Sequence, residues 1–163
     1  MNFVTRPLYY RTTRFFPSKK YEKHSKIVGR KEIVTYDAGL GIKDLSKYTD
    51  SAEDFKLLLE TPLSLNEQIV AYYMNPSKNH ISSLYEEGFE FCGYDLADKI
   101  FGCSAITLCC GRFEAAIPYD TLNEYGLISN YNEALLALDL LHNLYPDDPH
   151  SNCEMFELWR LVA

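Results

Sequence analysis

The sequence predicts an α+β domain, with a central, mostly antiparallel sheet carrying several short helices and one long buried helix over residues 131–145. Three observations predict it. Segments rich in β-branched and aromatic residues recur along the chain and close the C-terminal end. Cap-and-stop signals between residues 51 and 88 mark a row of short helices. A leucine-rich run then follows a strong helix cap at Asn130.

In chain order, residues 3–16 mix Tyr, Phe, Thr and Val and read as a strand or hairpin, which Pro7 keeps near an edge or starts late. Residues 17–31, PSKKYEKHSKIVGRK, read as a basic exposed loop, and 32–37, EIVTYD, as a short strand closed by a glycine turn. Ser51 and Ser64 each precede an acid by three residues, Asp54 and Glu67, so 51–60 and 64–74 are expected as helices. The stops are Thr61-Pro62 and Asn75-Pro76. Ser77 opens a third helix, closed by Gly88.

Residues 89–96 and 103–109 are the next strands. The first is apolar on both faces and is expected to lie centrally, with Gly93 at a bulge or close backbone approach. Strict alternation puts Phe89, Phe91, Gly93 and Asp95 on one face and Glu90, Cys92, Tyr94 and Leu96 on the other. A long connection over 111–129 carries a helical turn at 119–124. The helix YNEALLALDLLHNLY has leucines round most of its circumference, which predicts burial on several sides. Residues 153–162, CEMFELWRLV, form the last strand, again internal.

The 163 residues fit one domain, which buries about 70% of its unfolded surface without staples. The net charge of -7 divides unevenly. Residues 1–31 hold nine Lys/Arg against Glu22, +8, and residues 32–163 hold seven against 22 acids, -15. An acidic body repels nucleic acid and attracts basic partners. The basic segment, interleaved with Tyr9, Tyr10, Phe15, Phe16 and Tyr21, supports an alternative reading as a nucleic-acid-binding module that stacks bases. Five cysteines, an odd number with Cys109 and Cys110 adjacent, point to reduced thiols and a cytoplasmic location. No apolar run is long enough for a membrane span.

No catalytic constellation assembles, and the expectation is a protein that is not an enzyme and needs no cofactor or metal. His142, His150 and Cys153 lie close in sequence, but their spacings do not chelate zinc from one turn. Cys110 with His150 lacks a helix N-terminus to activate the thiol. Asp95 with Asp98, or Glu86 with Glu87, would need a defined separation to act as paired carboxylates.

Four pieces of the C-terminal half, FEFCGYDLADKIFGCSAIT, Cys110-Gly111, LNEYGLIS and PDDPHSNCEMFELWR, together resemble the immunity proteins of bacterial contact-dependent growth-inhibition and related polymorphic toxin systems. The resemblance covers roughly residues 88–161. It implies a cytosolic, non-enzymatic toxin inhibitor that binds one cognate toxin domain, often a nuclease, and blocks its active site or its access to a cofactor protein. An acidic surface suits such a basic partner. The expected partner-binding acids are Glu86, Glu87, Asp98, Glu114, Asp120 and Glu124, with Tyr119 and Tyr125 as anchors and Asp98 at the rim.

Overall fold

The computed structural model describes residues 7–12, 68–98, 104–106, 113–117 and 119–162. Four strands form one antiparallel sheet: β1 (Leu8–Thr12), β2 (Gln68–Met74), β3 (Phe89–Asp98) and β4 (Cys153–Leu161), in the order β1-β2-β4-β3. The α+β class holds. Among the described residues there is one α-helix, α1 (Tyr131–Leu144), and three short 3-10 turns rather than several helices. The expected helix at 51–60, the strand at 32–37 and the basic loop lie outside the described residues, as do Ser64 and Glu67.

Strand β2 corrects the helix expected over 64–74. Ile69, Val70, Tyr72 and Tyr73 favour an extended chain, and the segment is buried on both faces. Ile69, Ala71 and Tyr73 join one core cluster while Val70 and Tyr72 join another, a two-faced burial that an extended segment supplies by alternation. The third expected helix shrinks to a turn at Leu84–Glu87, ended as read by Gly88 at φ 93°. Ser82 explains the shortening: its hydroxyl accepts from Leu84 N and pairs with Tyr73. Such a local side-chain bond competes with a helix start.

Strand β4 is internal, as expected, but β3 flanks the ladder rather than lying centrally. Its outer edge is met by single bridges, Tyr94 with Ile128 and Ala97 with Ser104. The strand expected over 103–109 is not continued: the chain turns at Ala105–Ile106, and residues 107–109 lie outside the described residues.

The bulge expected at Gly93 is present, between Phe91 and Gly93, and it overturns the simple alternation of β3. Phe91 stands opposite Trp159 and Tyr94 opposite Glu157, so both project from one face although three residues apart. Gly93 adopts φ 136°, where an added Cβ would come within 2.8 Å of Leu127 Cβ and 2.9 Å of Asn123 Nδ2. Asn123 fastens the crossing loop there: its amide donates to Cys92 O at 2.7 Å while its oxygen accepts from the N–H groups of Tyr125 and Leu127.

Helix α1 is capped by Asn130, whose side chain accepts from Glu133 N. It buries Ala134, Ala137 and Leu141 against Leu96, Cys153 and Met155 of the sheet. Burial on several sides is the expectation that fails, since Leu135, Leu136 and Leu144 are exposed, Leu136 to 59%. Leucine content alone cannot separate a two-sided from a one-sided helix.

Gly93→Ala is expected to destabilise the fold by about 2–3 kcal/mol, from left-handed backbone strain plus displacement of Asn123. Urea unfolding with an unchanged m-value and a lowered midpoint would show it; an unchanged midpoint would contradict this account of the bulge.

Candidate functional site

The structure separates the expected partner-binding residues. Glu86 and Glu87 are exposed on the 3-10 turn before β3. Glu114, Asp120 and Glu124 are exposed on the connection before α1. Asp98 does not reach the rim: it is fully buried, with His150 Nδ1 3.3 Å from its Oδ2. The reason is pairing, since Asp98 stands opposite Cys153 on the helix-covered face. Tyr125 is half-buried and already engaged, donating to Glu90 Oε1 at 2.6 Å with Arg160 over its ring at 4.8 Å. Tyr119 opens a 3-10 turn over Tyr119–Thr121, and its side chain lies outside the described ones. Residues 86–87 and Asp98 sit at opposite ends of β3, about 30 Å apart along a ten-residue strand.

The candidate pairs of the sequence are likewise sorted. Asp95 stands opposite Phe156 and Asp98 opposite Cys153, three positions apart on β4, so the two carboxylates project from opposite faces. Asp95 accepts from Ser104 Oγ at 2.7 Å and from Leu96 N. His142, His150 and Cys153 do meet, but through the backbone: His142 donates to Cys153 O, and Cys153 Sγ to His150 O. Among the described residues no group of three His, Cys, Asp or Glu is placed to hold a metal ion. Cys92 and Cys153 are buried, and Cys109 and Cys110 lie outside the described residues.

Two features of the described residues bear on partner binding. The first is a groove of about 370 Å³ between the turn at 113–117 and α1, floored by Ile117, Leu136 and Leu140 and edged by Glu114 and Glu133. Of the exposed leucines of α1, Leu136 lines it.

The second was not foreseen. Glu157 lies mid-strand on the internal β4, 5% exposed, between Tyr73 of β2 and Tyr94 of β3. Trp159 Nε1 donates to its Oε1 at 2.8 Å, and His80 Nε2 stands 3.8 Å from the same oxygen. Burial pushes the Glu157 carboxyl up, against the opposing pull of Trp159 and His80. Burial and then the neighbouring Glu157 push the Tyr94 phenol up to about 12. Phe91, Tyr94, Tyr131 and Trp159 form a chain of edge-to-face rings beside it, with centroids 5.4 to 5.7 Å apart. The sequence did contain the signal, an acid inside the apolar run Met155-Phe156-Glu157-Leu158-Trp159 of a strand read as internal. Among the described residues no helix is long and apolar enough to cross a membrane.

Comparison with protein-family models, with curated proteins and with solved structures gives no match to this chain.

The Glu157 environment makes a pH prediction. Its unfolded carboxyl titrates near 4.5, and the folded one above that. The wild-type contribution is therefore complete below pH 4.5 and is lost as pH rises through the folded value. The groups facing it are His80, charged only when protonated, and the phenols of Tyr73 and Tyr94, both raised. Glu157→Gln keeps an acceptor for Trp159 and has nothing to ionise. Its melting temperature relative to wild type should climb from pH 4 to pH 8, because only the wild-type carboxyl loses stability as it ionises. Parallel curves for the two proteins would contradict the reading.

Proposed function

We propose that this chain is a cytosolic immunity protein, one that binds a cognate toxin domain, a basic nuclease, and neutralises it by covering its active site or its cofactor-protein surface. The observation that carries the reading is the acid-edged apolar groove beside α1. Apolar walls from Ile117, Leu136 and Leu140 offer area to bury, while Glu114 and Glu133 at its edge, Asp120 next to the lining Thr121, and the exposed Glu124 of the same connection set a negative field. A surface evolved to grip phosphate carries the complementary charge. The resemblance of residues 88–161 to toxin-immunity proteins supports the same class of partner.

The interface has to be tight. Protection inside a cell calls for nanomolar binding or better, about -12 kcal/mol, which a standard interface of roughly 1,600 Å² supplies when a few well-packed anchors exist. The exposed acids act on a different quantity. They raise the association rate, and salt weakens them, because each is solvated.

Reversing Glu114, Asp120 and Glu124 to lysine together, with Glu133 retained because it lies in the first turn of α1, tests the role of the groove. The expected result is an association rate lowered at least about tenfold at low salt, a flatter salt dependence, and loss of growth rescue when the variant is co-expressed with the toxin domain of the adjoining reading frame. Unchanged rescue and unchanged kinetics would sink the assignment.

A further inference from the structure

We propose that Glu157 and the rings around it form a receptor for the guanidinium group of an arginine presented by a basic protein partner. The partner class rests on the function proposed above; the site stands on its own geometry.

A carboxylate taken out of water needs a cation or several hydrogen bonds. Glu157 has one full hydrogen bond, from Trp159, and among the described residues no lysine or arginine pairs with it. His80 Nε2, sealed from solvent and without a hydrogen-bond partner among the described residues, is aimed at the same place. Together they leave a negative acceptor and an imidazole nitrogen facing each other across 3.8 Å, unbridged. The rings supply the rest of a cation site. Trp159 bonds the carboxylate, Phe91 packs on Trp159 and Tyr94, and Tyr94 on Tyr131; Phe91 is 38% exposed, so the set reaches the surface. Ring faces attract cations, tryptophan most.

The protein already contains the completed version on the other face of the same ladder. There Glu90 pairs with Arg160, whose guanidinium carbon lies 4.8 Å from the centroid of Tyr125, and Tyr125 donates to the same carboxylate. Burial opposes ionisation of Glu90, yet the bonds from Tyr125 and Arg160 hold its carboxyl below the ordinary range. Glu157, with rings and no guanidinium, is displaced the opposite way. The two sites differ in the cation and in burial, the Glu90 side chain being 37% exposed and that of Glu157 7%. Arginine fits better than lysine because a planar, weakly hydrated guanidinium stacks on rings and forks onto a carboxylate.

Trp159 is the single tryptophan of the chain, so its emission reports on this site alone. The full-length protein is titrated with N-acetylarginine amide, and with N-acetylcitrulline amide as the uncharged isostere. The expected result is a saturable change in Trp159 emission with half-saturation at about 1–20 mM, the range for one small cation on one carboxylate and its rings. Citrulline gives none, and Glu157→Gln shifts the arginine midpoint at least tenfold. Phe91→Ala, at an exposed ring, shifts it about threefold and covers the case in which Glu157→Gln alters the fold. An identical response to citrulline, a Glu157→Gln curve that overlays wild type, or no saturation with arginine would each overturn the proposal. Saturable arginine binding by a protein that fails to neutralise the adjoining toxin would leave the site standing and remove the immunity reading.

Discussion

The β-bulge at Gly93 is the constraint on which the surface of this protein depends. A regular strand would send Phe91 and Tyr94 to opposite faces. With one residue unpaired, both stand over β4, opposite Trp159 and Glu157. The left-handed backbone that permits this is open to glycine and closed to nearly everything else. It is also locked from outside, because Leu127 and Asn123 occupy the space a side chain would fill. The crossing loop therefore does two things at once: it covers the outer edge of β3, and it fixes the register that gathers the rings around Glu157.

The same ladder carries two carboxylates with opposite fates. Glu90 and Glu157 both lie between aromatic neighbours, on opposite faces of the β3–β4 pair. One has a guanidinium and a phenol to satisfy it and titrates low; the other has an indole N–H and an imidazole beyond hydrogen-bond reach and titrates high. Burial opposes ionisation in both, and more in Glu157, whose side chain is 7% exposed against 37% for Glu90; the guanidinium beside Glu90 widens the difference. The buried acids Asp95 and Asp98 have local partners in Ser104 and His150.

How much of this was legible in the sequence depends on the range of the signal. Elements fixed by local chemistry were read correctly: the Asn130 cap, the Gly88 stop, the Gly93 bulge and the edge placement of β1 after Pro7. Those that depend on distant packing were not. Residues 64–74 have a helix cap ahead of them, but β4 on one side and β1 on the other bind β2 as a strand, and propensity yields to two ladders. The leucines of α1 suggested a helix enclosed on several sides, whereas the small residues Ala134 and Ala137 mark the face that packs on the sheet. Asp98 was placed at the rim because a strand end is usually solvated, and His150, 52 positions away, is what holds it inside. Glu157 went unnoticed because an acid within an apolar run becomes informative only when its neighbours across the ladder are known.

The groove and the Glu157 rings are separate features that α1 borders on two sides. Tyr131, the first residue of α1, edges the rings, and Glu133 and Leu136 edge the groove. From Tyr131 to Leu136 the helix rises about 7.5 Å and turns through about 140° net, so the rings and the groove lie on different sides of α1. Their energetic roles divide by solvation. Glu114, Asp120 and Glu124 are exposed; their field reaches a Debye length and speeds encounter, adding little once contact is made. Glu157 is desolvated before any partner arrives, so a cation that reaches it meets a carboxylate whose loss of hydration the folded protein has already borne. An interaction of that kind resists dissociation, and differences among related interfaces are written mostly in the off-rate. Solvated acids that steer and a buried one that holds would together capture a basic protein quickly and release it slowly.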